Sequence, residues 1–588
     1  MNIYEKVILK HLYENSYINQ RTIASKCGYS LGVVNSSLQK LREKELLNTD
    51  YSLTTKALYM MQFSVPQNAI ILAAGFGMRM VPINMTTPKA LVEVNGEPLI
   101  ERIIKQLNEV GVVDITVVVG FMKEQFEYLI DTFNVELVVN EEYSKKNNLH
   151  SLNKVSNKIS NTYIIPCDIW SRENPFNKHE LYSWYMISDN DDKNSSVKLN
   201  RKMELISVDT KQVGNQMIGI AYLSGENSEY VRNMLASYDA EKKYKNAFWE
   251  ETLFRNGKMI VYGNMVSASN VVEINTYEQL RELDKNSNQL KSKAINLIAK
   301  ALQVSTTDII DITVLKKGMT NRSFMFNCKK KKYIMRIPGE GTEKLINRNE
   351  EAAVYNIING KGICDDIAYI DPENGYKITE FLEGAKVCDS ENEEDIKKCM
   401  HKLREFHNQK LEVSHEFNLF GQIEFYESLW NGNKSIYRDY AVTKDNVWKL
   451  RNYIEKNIDT KCLTHIDAVP DNFLFVQNGN QEEIRLIDWE YAGMQDPHVD
   501  IAMFCIYSMY NREQVDQLID IYFEGNCSHN VKLKIYCYIA VCGLLWSNWC
   551  EYKRSLGIEF GEYSLRQYRY AKEYYKIVKD ELGDTLRE

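Results

Sequence analysis

The sequence predicts a multidomain chain of mixed α/β and α+β class, divided into a small helical unit, a unit of alternating strands and helices, and a larger α+β unit. Three observations predict it. At 588 residues the chain exceeds what a single hydrophobic core holds. From Ala69 to Val139, buried-strand runs alternate with stretches of helical spacing, as in a sheet wrapped by helices. Beyond about residue 291, short strands near Tyr333–Gly339 and Ile378–Glu380 give way to long helical stretches.

Composition narrows the function classes. Forty-four per cent hydrophobic and 26 per cent charged residues describe an ordinary globular chain and exclude fibrous or disordered classes. With 72 basic and 80 acidic side chains the net charge is -8, which argues against a protein coated in nucleic acid along its whole length. Twelve cysteines without a Cys-x-x-Cys, and a start at Met1–Lys6 without a signal-peptide pattern, predict free thiols, no structural zinc and a cytoplasmic location. The longest uncharged apolar run, Ile535–Trp546, is too short to span a bilayer and is expected as a buried helix.

In residues 1–64, Ile3, Val7, Ile8 and Leu12 recur at helical spacing, and Asn19 precedes a second helix over Arg21–Lys26. Gly28 makes a turn, Leu31–Glu43 forms a third helix, Leu46–Leu53 a hairpin, and Thr54 or Thr55 starts a last helix. This order resembles a winged helix-turn-helix. The resemblance implies that Asn35, Ser36, Gln39, Lys40 and Arg42 point outward from a helix able to enter the major groove of DNA. A docking or dimerisation role is equally open.

In residues 65–290, the strand Ala69–Leu72 runs into Ala73-Ala74-Gly75-Phe76-Gly77-Met78-Arg79. Backbone at Leu72, Ala74, Gly75 and Gly77 is expected to bind nucleotide, since glycines after a strand let amides approach a triphosphate, and Arg79 adds positive charge. Pro82, Pro88-Lys89-Ala90-Leu91 and Glu97-Pro98-Leu99 follow. The combination resembles nucleotidyltransferases of sugar phosphates and of phosphocholine. That family has a Rossmann-like (GT-A-like) fold, uses CTP in its phosphocholine branch, and joins a substrate phosphate to the nucleotide α-phosphate with loss of pyrophosphate. The resemblance implies Lys89 and Arg79 as catalytic cations and Asp168 and Asn275 as Mg2+ ligands, although this chain has Glu273-Ile274-Asn275 where the phosphocholine branch usually has Glu-Ile-Asp. Asn147–Leu152 is similar to a segment of that branch, and Trp249 beside Glu250 suits a trimethylammonium head through cation–π attraction of about 0.5–2 kcal/mol. Trp170 is a further cage candidate.

In residues 291–588, a helix over Ile295–Leu302 precedes Leu315–Phe324, which resembles a phosphate-covering hairpin. Arg336 lies on the next strand, and Glu350 opens a helix as the carboxylate expected to hold it. Glu380 and Leu382 fall where a hinge strand receives adenine through its backbone. The stretch Thr464–Gly493 carries the chemistry: Asp467 to orient a hydroxyl and accept its proton, Asn472 and Asp488 to hold Mg2+ against ATP phosphates. Together with Trp489-Glu490-Tyr491 and Asp496–Asp500, it resembles the choline/ethanolamine kinase family, whose fold is protein-kinase-like. That resemblance implies a quaternary-ammonium cage from Trp546 and Trp549, with Glu490 and Tyr507 contributing and Tyr568 as a lesser candidate.

The expectation is a bifunctional enzyme that phosphorylates choline with ATP and converts phosphocholine and CTP to CDP-choline. Ethanolamine or another amino alcohol as substrate, or a DNA-binding regulator that senses these ligands, are the rival readings.

Overall fold

The computed structural model describes all residues except 86, 210–211, 316–320, 340–344, 431, 480 and 584–588. They form two compact units, Met1–Asn296 with Ile312–Val314, and Leu297–Asp311 with Leu315–Glu588. The winged helix thus shares a unit with the sheet that follows it.

In the first unit, helices Ile3–Glu14, Gln20–Cys27 and Leu31–Glu43 start at Asn2, Asn19 and Ser30, whose side chains accept hydrogen bonds from Glu5, Thr22 and Val33 amides. Gly28, at φ 69°, ends the second helix, and a bridge between Leu47 and Leu53 forms the small wing. Ile8, Leu9, Ile23, Val34, Leu38 and Leu41 make the core of the module. Its first helix is fastened to the following domain: Lys10 Nζ lies 3.2 Å from Glu180, and the Tyr13 ring meets His179 at 4.6 Å.

That domain is built on the strand Asn68–Ala73, paired in parallel with Ile115–Val119 and Thr162–Pro166. The sheet continues on one side to Glu136–Val139, and on the other to the antiparallel strand Gly214–Leu223 and then Trp184–Asp192. Two hydrophobic clusters cover its faces, one led by Ile71, Val117 and Ile165 and the other by Ile70, Val118 and Ile164. Burial on both faces explains why these strands read as continuous apolar runs. The helix expected over Met122–Phe133 is instead a 3-10 turn, Lys123–Phe126, followed by a short helix, Tyr128–Phe133. The left-handed backbone at Met122, φ 49°, allows the tight turn that still buries Phe126 and Leu129.

The second unit opens on antiparallel strands Asn321–Cys328, Lys331–Pro338, Lys377–Glu380 and Ile367–Ile370. The helix Arg348–Ile358 turns Val354, Tyr355 and Ile358 into the core. A hairpin, Phe473–Asn478 with Gln481–Leu486, then leads into the helices His498–Tyr507, His529–Ser555 and Glu562–Leu582. Ile535–Trp546 is buried throughout inside His529–Ser555, and no described helix is long and apolar enough to cross a membrane.

Candidate active sites

In the first unit the strand Asn68–Ala73 delivers the glycine loop. Gly77 has φ 64°, and a Cβ there would stand 3.0 Å from Lys89 Cβ, so any side chain at this position would strain the left-handed backbone and press on Lys89. A Cβ on Gly75 would meet nothing within 4 Å, which leaves the backbone open to a ligand. Leu72 is the last residue but one of the strand, and the Ala74 carbonyl accepts from the Phe121 amide at 3.1 Å. Asn84, which the sequence pattern did not single out, ties the loop by donating to the Phe76 and Gly77 carbonyls at 3.2 and 3.0 Å.

Lys89, 9 % exposed, donates to Asn275 Oδ1 at 2.7 Å and ion-pairs with Asp168, and Arg79 Nη2 donates to the same Asn275 oxygen at 3.0 Å. The four residues assigned to this chemistry therefore converge from three distant segments. A short ladder between Ile169–Ser171 and Val271–Glu273, extended by the Ile274 amide on the Asp168 carbonyl at 2.9 Å, brings the Asp168 and Asn275 side chains together. Asp168 Oδ1 is buried with no hydrogen-bond partner among the described residues. Glu273, also missed as a site residue, has its carboxyl raised by burial and by Asp168 nearby. An orphan carboxylate oxygen, an amide oxygen and a second acid form a hard oxygen donor set that fits a divalent cation.

Two cage expectations in this unit are corrected. Trp249 is 1 % exposed, in the core beside Tyr185 at 6.3 Å, and has no open face for a substrate cation. The spacing marked an aromatic next to carboxylates but not the side to which a 3-10 turn, Trp249–Leu253, would point it. The Trp249 amide does tie this turn to Asn148 Oδ1 at 2.9 Å. Trp170 carries the Arg102 guanidinium over its ring at 5.4 Å, so a cation already takes that face. Glu250 remains a candidate: burial pushes its carboxyl up to about 7, Tyr185 donates to it at 3.2 Å, and its Oε2 is buried without a hydrogen-bond partner among the described residues.

In the second unit Arg336, Asp467, Asn472 and Asp488 line one cavity of about 790 Å3. Asn472 Nδ2 donates to the Asp467 carbonyl at 2.9 Å and to its carboxylate at 3.3 Å. Burial, then Asp488 and Glu490, pushes the Asp467 carboxyl up to about 8. Crowded acids beside an amide oxygen are again a site that a divalent cation would relieve. Ile466 and Asp488 stand at φ 69° and 66°, conformations that cost non-glycine residues about 1–3 kcal/mol each. Asp500, fully buried, holds the first bend by accepting from the His465 and Ile466 amides at 3.0 and 2.7 Å and by facing His407 Nε2 at 2.9 Å.

The carboxylate that holds Arg336 is Glu351, at 2.5 and 2.7 Å, which corrects the assignment of Glu350. On the helix Arg348–Ile358 the inward stripe runs through Arg348, Glu351, Ala352 and Tyr355, and Glu350 lies a third of a turn off it. Burial would raise Glu351, but Arg336, Lys377 and Arg348 hold its carboxyl down at about 2. The cavity wall reaches Thr379, one residue before Glu380. The Glu380 amide donates to the Asp366 carbonyl and the Phe381 amide to the Lys332 carbonyl, both at 2.9 Å, and Glu380 and Leu382 flank the cavity wall rather than line it. Residues 316–320 of the expected phosphate hairpin lie outside the described residues.

The other end of the cavity is aromatic. Trp546 and Trp549 project from one face of His529–Ser555 with ring centroids 5.6 Å apart, and Tyr491 stands edge-on to Trp546 at 5.6 Å. The Lys553 ammonium lies over the Trp549 ring at 5.5 Å, which leaves Trp546 and Tyr491 as the rings without a cation of the chain's own over them among the described residues. Tyr507 also lines the cavity and donates to Asp471 at 2.5 Å. Glu490 lies between the two ends, its carboxyl raised to about 7 by burial and by Asp488. Tyr568 is elsewhere, stacked on Tyr437 at 3.8 Å. Tyr491, Asp365 and Lys377 also line the site; Tyr491 belongs to the Trp489-Glu490-Tyr491 triplet, whereas the other two carry no local sequence signal.

Comparison with known proteins agrees with this division. The choline/ethanolamine kinase family matches residues 312–537, the MobA-like NTP transferase domain residues 69–173, and the winged helix-turn-helix DNA-binding family residues 1–48. The choline-phosphate cytidylyltransferase of Streptococcus pneumoniae is 34% identical over 228 residues, 37% of this chain and 99% of that protein. The 2-aminoethylphosphonate cytidylyltransferase of Lancefieldella rimae is 31% identical over 233 residues, 37% of this chain and 92% of that protein. Protein LicA of Haemophilus influenzae is 28% identical over 264 residues, 42% of this chain and 76% of that protein. Two nucleotide-handling sites built on separate units, each matched by its own relatives, make this chain a bifunctional enzyme that belongs to the choline-phosphate cytidylyltransferases through its first unit and carries a choline/ethanolamine kinase domain in its second.

Proposed function

We propose that the second unit phosphorylates choline with ATP and that the first unit couples the resulting phosphocholine to CTP, releasing pyrophosphate and CDP-choline. The observation that carries this reading is the single cavity in which Asp467, Asn472 and Asp488 face an aromatic end made by Tyr491, Trp546 and Trp549. Aromatic faces hold a methylated ammonium by cation–π attraction, worth about 0.5–2 kcal/mol for each well-placed ring. With the head held there, Asp467 orients the choline hydroxyl and accepts its proton as the oxygen attacks the γ-phosphorus of ATP and ADP leaves. Arg336, fixed by Glu351, serves the phosphates, and the Glu380 and Leu382 backbone serves adenine.

In the first unit a phosphocholine oxygen attacks the α-phosphorus of CTP, and Lys89 and Arg79 offset the charge that develops there while the backbone from Leu72 to Gly77 supports the nucleotide. Glu250 balances the substrate cation. Asn472 and Asp488 in one site, and Asp168 and Asn275 in the other, would hold Mg2+, which when bound supplies positive charge to the nucleotide phosphates.

A reading in which the cation is a primary ammonium draws support from the burial of Trp249, since it leaves the first site a carboxylate without an exposed indole. Phosphorus NMR of the protein with ATP, CTP, Mg2+ and either choline or ethanolamine decides between the two. Choline should give phosphocholine and then CDP-choline; turnover of ethanolamine alone would overturn the choline assignment. For the winged helix we propose contact with DNA through Asn35, Gln39, Lys40 and Arg42, all exposed. A gel shift abolished by removing the two charges supports it, and no shift at low salt overturns it.

A further inference from the structure

The second unit holds another cavity, of about 840 Å3, that phosphate transfer leaves unused. It shares with the catalytic cavity the wall Glu490–Tyr491. Tyr491 is the partition, since its ring meets Trp546 at 5.6 Å on the catalytic side and Phe417 at 6.4 Å and 86° on the other. Tyr376, Phe417 and Phe425 give the second cavity an aromatic lining.

Its charge is one-sided. Arg348, the cation in this wall, is engaged by Glu351 at 2.8 Å and Glu490 at 3.4 Å, and the nearby Glu416 is paired with Lys461. Glu350 and Glu373 face the cavity with no ion-pair partner among the described residues. An anionic ligand such as a nucleotide would meet two uncompensated carboxylates here. An organic cation would meet them together with aromatic faces, the pairing that favours ammonium groups with apolar substituents.

We propose that this cavity binds a second molecule of the amino alcohol, choline, with its ammonium between Glu350 and Glu373 and its methyl groups against Tyr376, Phe417 and Phe425. The charge and shape of the ligand follow from the lining; its identity as choline rests on the function proposed above. Because Tyr491 belongs to both walls, occupancy of the second cavity changes the room available to the substrate head, and the rate should depart from a hyperbola as choline rises.

The test is calorimetric titration of the full chain with choline chloride, with Glu250→Gln in every sample to silence the first unit. Two classes of site are expected. Glu350→Gln with Glu373→Gln should weaken one class by more than about tenfold, on the scale of one lost charge contact with a partly desolvated cation. Trp546→Ala should weaken the other. The reversal Glu350→Lys with Glu373→Lys should abolish the first class, while an unchanged melting temperature shows that both variants fold. One class in the parent protein, or an isotherm unaltered by either pair of substitutions at Glu350 and Glu373, overturns the proposal. Loss of the Trp546-dependent class alone, with the Glu350-dependent class intact, would count against the kinase assignment and leave the second site standing.

Discussion

At the scale of the residue, both sites rest on charges that their neighbours keep out of the ordinary range. Glu351 is ionised under three cations, and Glu351→Gln leaves Arg336, Arg348 and Lys377 around a neutral amide. Breaking such a buried network costs about 3–5 kcal/mol, so this variant should lower the melting temperature of the second unit and cut kcat/KM for ATP by at least about tenfold. Trp546→Ala removes one ring from the cage and should raise the KM for choline by roughly 2- to 30-fold, the equivalent of 0.5–2 kcal/mol, with kcat for saturating choline little changed. Glu250 gives a signature in pH. Its folded value, about 7, lies above the ordinary 4.5, so folding favours the protonated acid and stability falls as pH rises from about 4.5 to about 7. Melting curves of the wild type should show that extra decline relative to Glu250→Gln. Affinity for phosphocholine should rise over the approach to pH 7, as the carboxylate that balances the cation forms; equal pH profiles for the two proteins would refute this role.

At the scale of the element, each site is a loop held in an uncommon backbone conformation by something rigid. The glycine loop leaves Asn68–Ala73 and turns at Gly77 with Lys89 packed against it. Gly77→Ala faces a left-handed backbone cost of about 1–2 kcal/mol, and its methyl would press on Lys89 Cβ. CDP-choline formation should fall by at least about tenfold while choline phosphorylation persists, each followed by its own product. How much of this was legible differs between elements. The strand and its glycines showed in the sequence because a buried run followed by glycine is a local pattern. The Glu350 assignment failed by one residue because which of two adjacent acids faces inward is fixed by the phase of the helix Arg348–Ile358, and that phase is set by packing. Trp249 failed for a related reason: an indole beside two acids has the same sequence whether it lines a pocket or fills a core.

At the scale of the whole molecule, the two chemistries stand on separate compact units. Asp467→Asn should therefore stop formation of phosphocholine yet leave conversion of supplied phosphocholine to CDP-choline, and Lys89→Ala should do the reverse, both followed by phosphorus NMR. Loss of both activities from either substitution would show that the sites are not separable. The sequence by itself determined the order of modules, the type of each reaction centre and most of its charged residues, because strand runs, glycine turns and the spacing from Asp467 to Asn472 are local constraints on a chain. Tertiary structure alone decided that Lys89, Arg79, Asp168 and Asn275 meet, that Asp500 braces the bend at Ile466, and that Tyr491 divides two cavities. Those relations join residues tens to hundreds of positions apart, and only the burial of a shared core fixes such distances.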